Sequence, residues 1–152
     1  MKTHIVIVKH IKSEIIKSRY LIAKVANKEL LYLYFRVGKL VSEKVTSEKW
    51  GSGSIEKLST DLQAELRGLR GFSSTNIKRM KQFYEVWSPY NIISPLSTDQ
   101  LENTSNKNET NPLLTTQFIE KFPLVSFTAH YEILSKIKLL DERIFYIINC
   151  AN

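Results

Sequence analysis

A single cysteine, Cys150, leaves the chain unable to close an internal disulfide. Histidine is scarce too, and His4, His10 and His130 lie too far apart to supply a metal-ligand spacing, so neither a metal nor a cofactor is assigned. A reducing, cytoplasmic setting is expected. Long apolar runs are also lacking. IVIV at residues 5–8 is cut by Lys9 and His10, far short of the ~18 residues that span a bilayer, and it is too short for a secretory leader. No membrane partner is expected. The chain has no phosphate-cradling glycine loop, no paired-carboxylate site and no triad pattern. His130, with no acid or cysteine partner assignable from spacing, reads as a capping or packing residue, so no catalytic residue is assigned and the chain by itself is read as non-enzymatic.

Helix breakers are few: the first glycine is Gly38 and the first proline is Pro89. Helix can therefore run from Ile5 to Val45, roughly 60 Å if straight. Ala26, Leu30, Leu33, Val37 and Val41 recur at steps of three and four, and Ile22, Ile15 and Ile11 continue the stripe backwards. Leu31, Tyr34, Phe35 and Leu40 widen it to more than one face. A helix apolar on two sides needs two partners, of which the following hairpin supplies one and either C-terminal helices or a second copy of the chain the other. Asn27 leaves open whether this is one helix or a pair. Gly38 reads as a point of close helix approach, because the apolar pattern continues through it.

The remaining glycines punctuate residues 50–87, which read as helix, turn, helix. Ser54 is the expected cap of the first helix, with Ile55, Leu58, Leu62 and Leu66 as its stripe. Gly68 and Gly71 break the chain, and Ser73 or Ser74 caps the second helix. Ile77, Met80, Phe83, Tyr84 and Trp87 then share one side, while Thr75, Lys78, Arg79 and Gln82 share the other. From Arg67 to Lys81 the cations are Arg67, Arg70, Lys78, Arg79 and Lys81, with no carboxylate between them. In a helix-turn-helix module the N-terminal part of the second helix reaches base edges and flanking cations hold phosphates. The candidate contacts to double-stranded DNA are Arg67, Arg70, Ser74, Thr75, Lys78, Arg79, Lys81 and Gln82. The competing reading is a helical dimerisation or partner-docking domain whose basic face is only solvated, since glycine-linked helix pairs are common units.

The net charge of +7 favours polyanionic partners, and it is unevenly spread. Residues 1–49 carry 11 cations and 4 acids, residues 50–87 carry 6 and 4, and residues 88–152 carry 5 and 7. The basic helical region is thus 1–87. Residues 88–112, with three of the four prolines and an Asn/Ser/Thr-rich middle, read as a flexible loop. Residues 113–152 return to helix: Leu113–Phe122 ended by Pro123, a helix capped by Ser126 with Tyr131, Leu134 and Ile137 as its stripe, and a last one from Asp141 carrying Ile144, Phe145, Ile147 and Ile148. The expected fold class is all-α, a long N-terminal helix or helix pair packed on the 54–87 hairpin, with one or two C-terminal helices.

These blocks resemble a family. WGSGSIEKLSTDL followed by GFSSTNIKRMKQFYEVW is similar to the N-terminal domain of the YhcG family, bacterial proteins in which a helical domain precedes a PD-(D/E)xK-type nuclease domain. Upstream, Asn27, Tyr34, Phe35 and Gly38 match. Downstream, Ser126, His130, Tyr131, Glu142, Arg143 and Tyr146 match. Phe35 and Phe127 stand where many relatives have tryptophan. The resemblance implies a DNA-targeting role beside a C-terminal nuclease domain. That domain, with the family's metal-binding acids and lysine, is expected beyond Asn152, so no catalytic residue carries over to this chain.

Overall fold

The computed structural model describes residues 2–51, 53–92 and 113–151. Every regular element among them is helical, as expected for the all-α class. Most of the expected 88–112 loop lies outside the described residues. The elements are α1 (Lys2–Ser47), α2 (Ser54–Glu65), α3 (Ser74–Trp87), α4 (Thr116–Lys121), α5 (Phe127–Lys136) and α6 (Leu140–Cys150). Short 3-10 turns follow α3 at Ser88–Tyr90 and α4 at Phe122–Leu124, each with proline in its first turn, where the missing N–H has no helical bond to lose.

Helix α1 is unbroken over 46 residues. Asn27 does not bend it. Its side-chain amide instead donates to the carbonyls of Pro123 (2.8 Å) and Val125 (3.0 Å), tying the turn between α4 and α5 to the middle of α1. Gly38 fills the role expected of it: a Cβ there would overlap the carbonyl oxygen of Met80 and stand 2.9 Å from Tyr84 Cβ. The two helices meet backbone to backbone at this level.

The core forms around that contact. Leu31, Ile77, Met80, Phe83, Trp87, Phe118 and Phe122 are almost completely buried. Phe83 stacks on Phe122 (5.9 Å between centroids), and Trp87 meets Phe122 edge-on (5.3 Å). The α3 stripe is as the spacing predicts, with Tyr84 half-buried at its margin.

Helix α1 buries only part of the expected stripe, Val41 fully and Val37 by half, together with Leu31 and Tyr34 from the residues expected to widen it. The covered residues are Leu31, Tyr32, Tyr34, Gly38 and Val41, and both α3 and the turn after α4 pack against α1. The stripe through Ile22, Leu30 and Leu33 stays 65%, 41% and 37% exposed. Asn27 and Gly38 fix the rotation of the helix, and those two contacts outweigh the better-spaced stripe. Two smaller departures follow similar logic. Gly53, not Ser54, is the N-cap of α2, and no side chain caps that helix. In α5 the fully covered residues are His130, Ile133 and Leu134, while Tyr131 and Ile137 are half-buried.

Helix α2 is the least anchored element. Ile55, Leu58 and Leu62 are only half-buried, and Leu66, expected on its packing stripe, is 55% exposed. Its one buried residue is Ser59, whose hydroxyl donates to the Phe72 carbonyl at 2.8 Å.

Candidate nucleic-acid interface

The turn between α2 and α3 is built on two left-handed glycines, Gly68 (φ 83°) and Gly71 (φ 86°), a conformation in which a Cβ is strained. Tyr34 fits beneath it, its hydroxyl 3.1 Å from where a Cβ on Gly71 would sit, and its ring meets Phe72 edge-on. Ser73 caps α3 by accepting from the Asn76 N–H at 3.2 Å. The N–H groups of Ser74 and Thr75 lie in the first turn, where no intrahelical acceptor exists, so they point outward with the positive end of the helix.

The eight candidate residues separate into two sets. Arg67, Arg70, Thr75, Lys78 and Gln82 are exposed and Ser74 is half-buried, all at the turn or on the outer side of α3. Arg79 and Lys81 are drawn inward. The Arg79 guanidinium lies 4.3 Å from the centre of the Tyr131 ring and donates to Asn76 Oδ1 at 3.4 Å, which docks α3 onto α5. Lys81 pairs with Glu85 at 2.8 Å, and Glu85 also accepts from the Ser42 hydroxyl of α1 at 2.8 Å. Burial pushes the Glu85 carboxyl up, but the Lys81 and Ser42 bonds together outweigh it and leave it below its ordinary range.

The absence of carboxylates between Arg67 and Lys81 holds along the chain, not in space. Lys78 of α3 meets Glu56 of α2 at 2.5 Å, and that bond holds the Glu56 carboxyl below its ordinary range. Glu132 is lowered chiefly by Lys136, with a smaller contribution from Arg79. The Lys78–Glu56 pair is half-exposed on both sides, a geometry that yields readily to a competing anion. Among the described residues, Arg67 and Arg70 have no carboxylate partner within bonding distance.

Several matched positions of the sequence resemblance hold the fold, whereas Glu142 and Tyr146 are exposed. Ser126 caps α5 through the Ala129 N–H (3.2 Å), Arg143 Nε donates to the Ile137 carbonyl (2.7 Å), and Tyr131 supports Arg79. His130 is buried against Phe83 and Phe122 and bonds the Phe122 carbonyl through Nε2 at 3.0 Å. That is a packing role. Among the described residues no group of His, Cys, Asp and Glu is arranged to hold a metal ion, and no helix is long and apolar enough to cross a membrane. A family model described as the DUF1016 N-terminal domain matches residues 10–152, consistent with the YhcG-like N-terminal domain that the sequence resembles. No curated protein and no solved structure matches the chain.

Proposed function

We propose, for a chain that belongs to the DUF1016 N-terminal domain family, that it is a DNA-binding module, gripping duplex DNA through the α2–α3 unit and delivering it to a nuclease domain that follows in longer relatives. One observation supports this most: Arg67, Arg70, Thr75, Lys78 and Gln82 share the outer side of the turn and α3, and none contributes to the core. Arginines at the turn suit phosphates, and Thr75 and Gln82 suit base edges. Arg79 and Lys81 are assigned to holding the reading helix in place rather than to contacting DNA.

Fluorescence anisotropy of a labelled duplex across a salt series tests it. The parent is expected to lose affinity steeply as salt rises. Arg67→Ala/Arg70→Ala/Lys78→Ala should bind more weakly, with the log–log slope smaller by roughly one unit for each phosphate that is no longer neutralised. Melting should change little, because exposed substitutions shift stability by about ±0.5 kcal/mol. A triple variant with the parent's affinity and slope would remove this surface from consideration. The docking reading keeps independent support from a different surface, the outer side of α1.

A further inference from the structure

From Ile5 to Ala23 every side chain of α1 is exposed. The contacts made there by Lys17 to Glu14 (3.1 Å) and Lys24 to the Tyr20 ring (4.4 Å) stay within the helix. Such a free arm would ordinarily be polar, yet Val8, Ile11, Ile15, Ile22 and Val25 are 46% to 65% exposed on it. Together with Ser18 they are spaced by three, four, three, four and three residues, the alternation of the a and d positions of a coiled-coil seam. The series stops where Glu29 takes the next a position, beside Asn27 where the body of the domain begins.

The surface of the arm has the relief this packing requires. Ile11, Glu14, Ile15 and Ser18, with His10 and Arg19 at the margins, line a shallow groove. Those four are the d, g, a and d positions that form the hole for an incoming a-position side chain. Charge then selects the occupant and its direction. Glu14 is at g and Arg19 at e, five residues on, so in a parallel, in-register pair each Glu14 faces Arg19 of the other copy. An antiparallel pair with the same layers would bring Lys12 against Arg19. At 100° per residue the seam is turned by roughly 140° from the face that packs on α3.

We propose that this arm is a dimerisation element, two copies pairing through Val8–Val25 as a parallel two-stranded coiled coil. The seam is about 26 Å long, so association should depend on concentration in an accessible range. Sedimentation equilibrium of the chain over a concentration series is expected to give a monomer–dimer equilibrium. Ile15→Asp should abolish the dimer with the far-ultraviolet circular dichroism of the chain largely retained, whereas Ile16→Asp, one residue away and off the seam, should leave it. Glu14→Arg and Arg19→Glu should each weaken association several-fold, and the double variant should restore it. A monomer at all concentrations overturns the proposal, as does a higher oligomer. Tighter association of Arg19→Glu alone would assign an antiparallel pair instead, and binding of a purely monomeric chain to anionic vesicles would assign the stripe to a lipid surface.

Discussion

His130 shows how one buried side chain sets a property of the whole domain. Its Nε2 bonds the Phe122 carbonyl, so the proton is on Nε2, and Nδ1 is buried with no partner. Burial pushes its pKa down from 6.5 to about 4, against the smaller opposing effect of the carbonyl bond. The unfolded chain therefore takes up a proton near pH 6.5 that the folded chain refuses until about pH 4. Stability is full above 6.5 and declines as pH falls through this window, on the order of 3 kcal/mol in total. The carboxyls of Glu48, Glu56, Glu85 and Glu132, held below their ordinary 4.5, add to the loss only at lower pH. Urea unfolding between pH 7 and 5 should show the decline, and His130→Gln, though less stable, should flatten it. The sequence supports a packing histidine here but carries no sign of Phe122 as its partner. The same holds for Arg79, whose place on α3 reads as exposed because its cover, Tyr131, is far along the chain. Spacing identifies the side of a helix; it does not identify what a distant element lays across that side.

At the scale of the elements, the buried stripe of α3 was legible because Ile77, Met80, Phe83, Tyr84 and Trp87 share one side, which leaves a single way to pack it. Helix α1 was not, because it is apolar on more than one face and periodicity cannot choose between them. The choice is made by Gly38, where the α3 backbone approaches too closely for any side chain. Gly38→Ala should therefore destabilise, although alanine is the better helix former by about 1 kcal/mol. Overpacking against the Met80 backbone, which cannot turn aside as a side chain would, should cost about 1–3 kcal/mol or more and exceed that gain. Gly51→Ala serves as the comparison, since nothing lies within 4 Å of a Cβ there. Equal urea midpoints for the two variants would show that the helices have room to separate. The weak anchoring of α2 was hidden for another reason: its stripe is well spaced, but spacing does not reveal that among the described residues Leu66 is left 55% exposed.

For the whole molecule, the two exposed surfaces are compatible because they face different ways. The turn before α3 and the outer side of α3 carry Arg67, Arg70 and Lys78, while the seam on α1 lies away from α3, and residues 1–49 hold 11 of the 22 cations. Pairing through the arm would give one particle two copies of the basic turn and two basic arms. Counterion release scales with the phosphates neutralised, so a dimer engaging DNA with both copies should show about twice the log–log salt slope of a monomer. Ile15→Asp and Ile16→Asp add the same charge at nearly the same place, and only the first touches the seam. Anisotropy titrations should therefore give Ile15→Asp about half the slope of Ile16→Asp, with a concentration-dependent affinity retained only by Ile16→Asp. Equal slopes, with Ile15→Asp monomeric by sedimentation, would mean that one α2–α3 unit binds alone, and that the arm assembles the protein for a purpose other than holding the duplex.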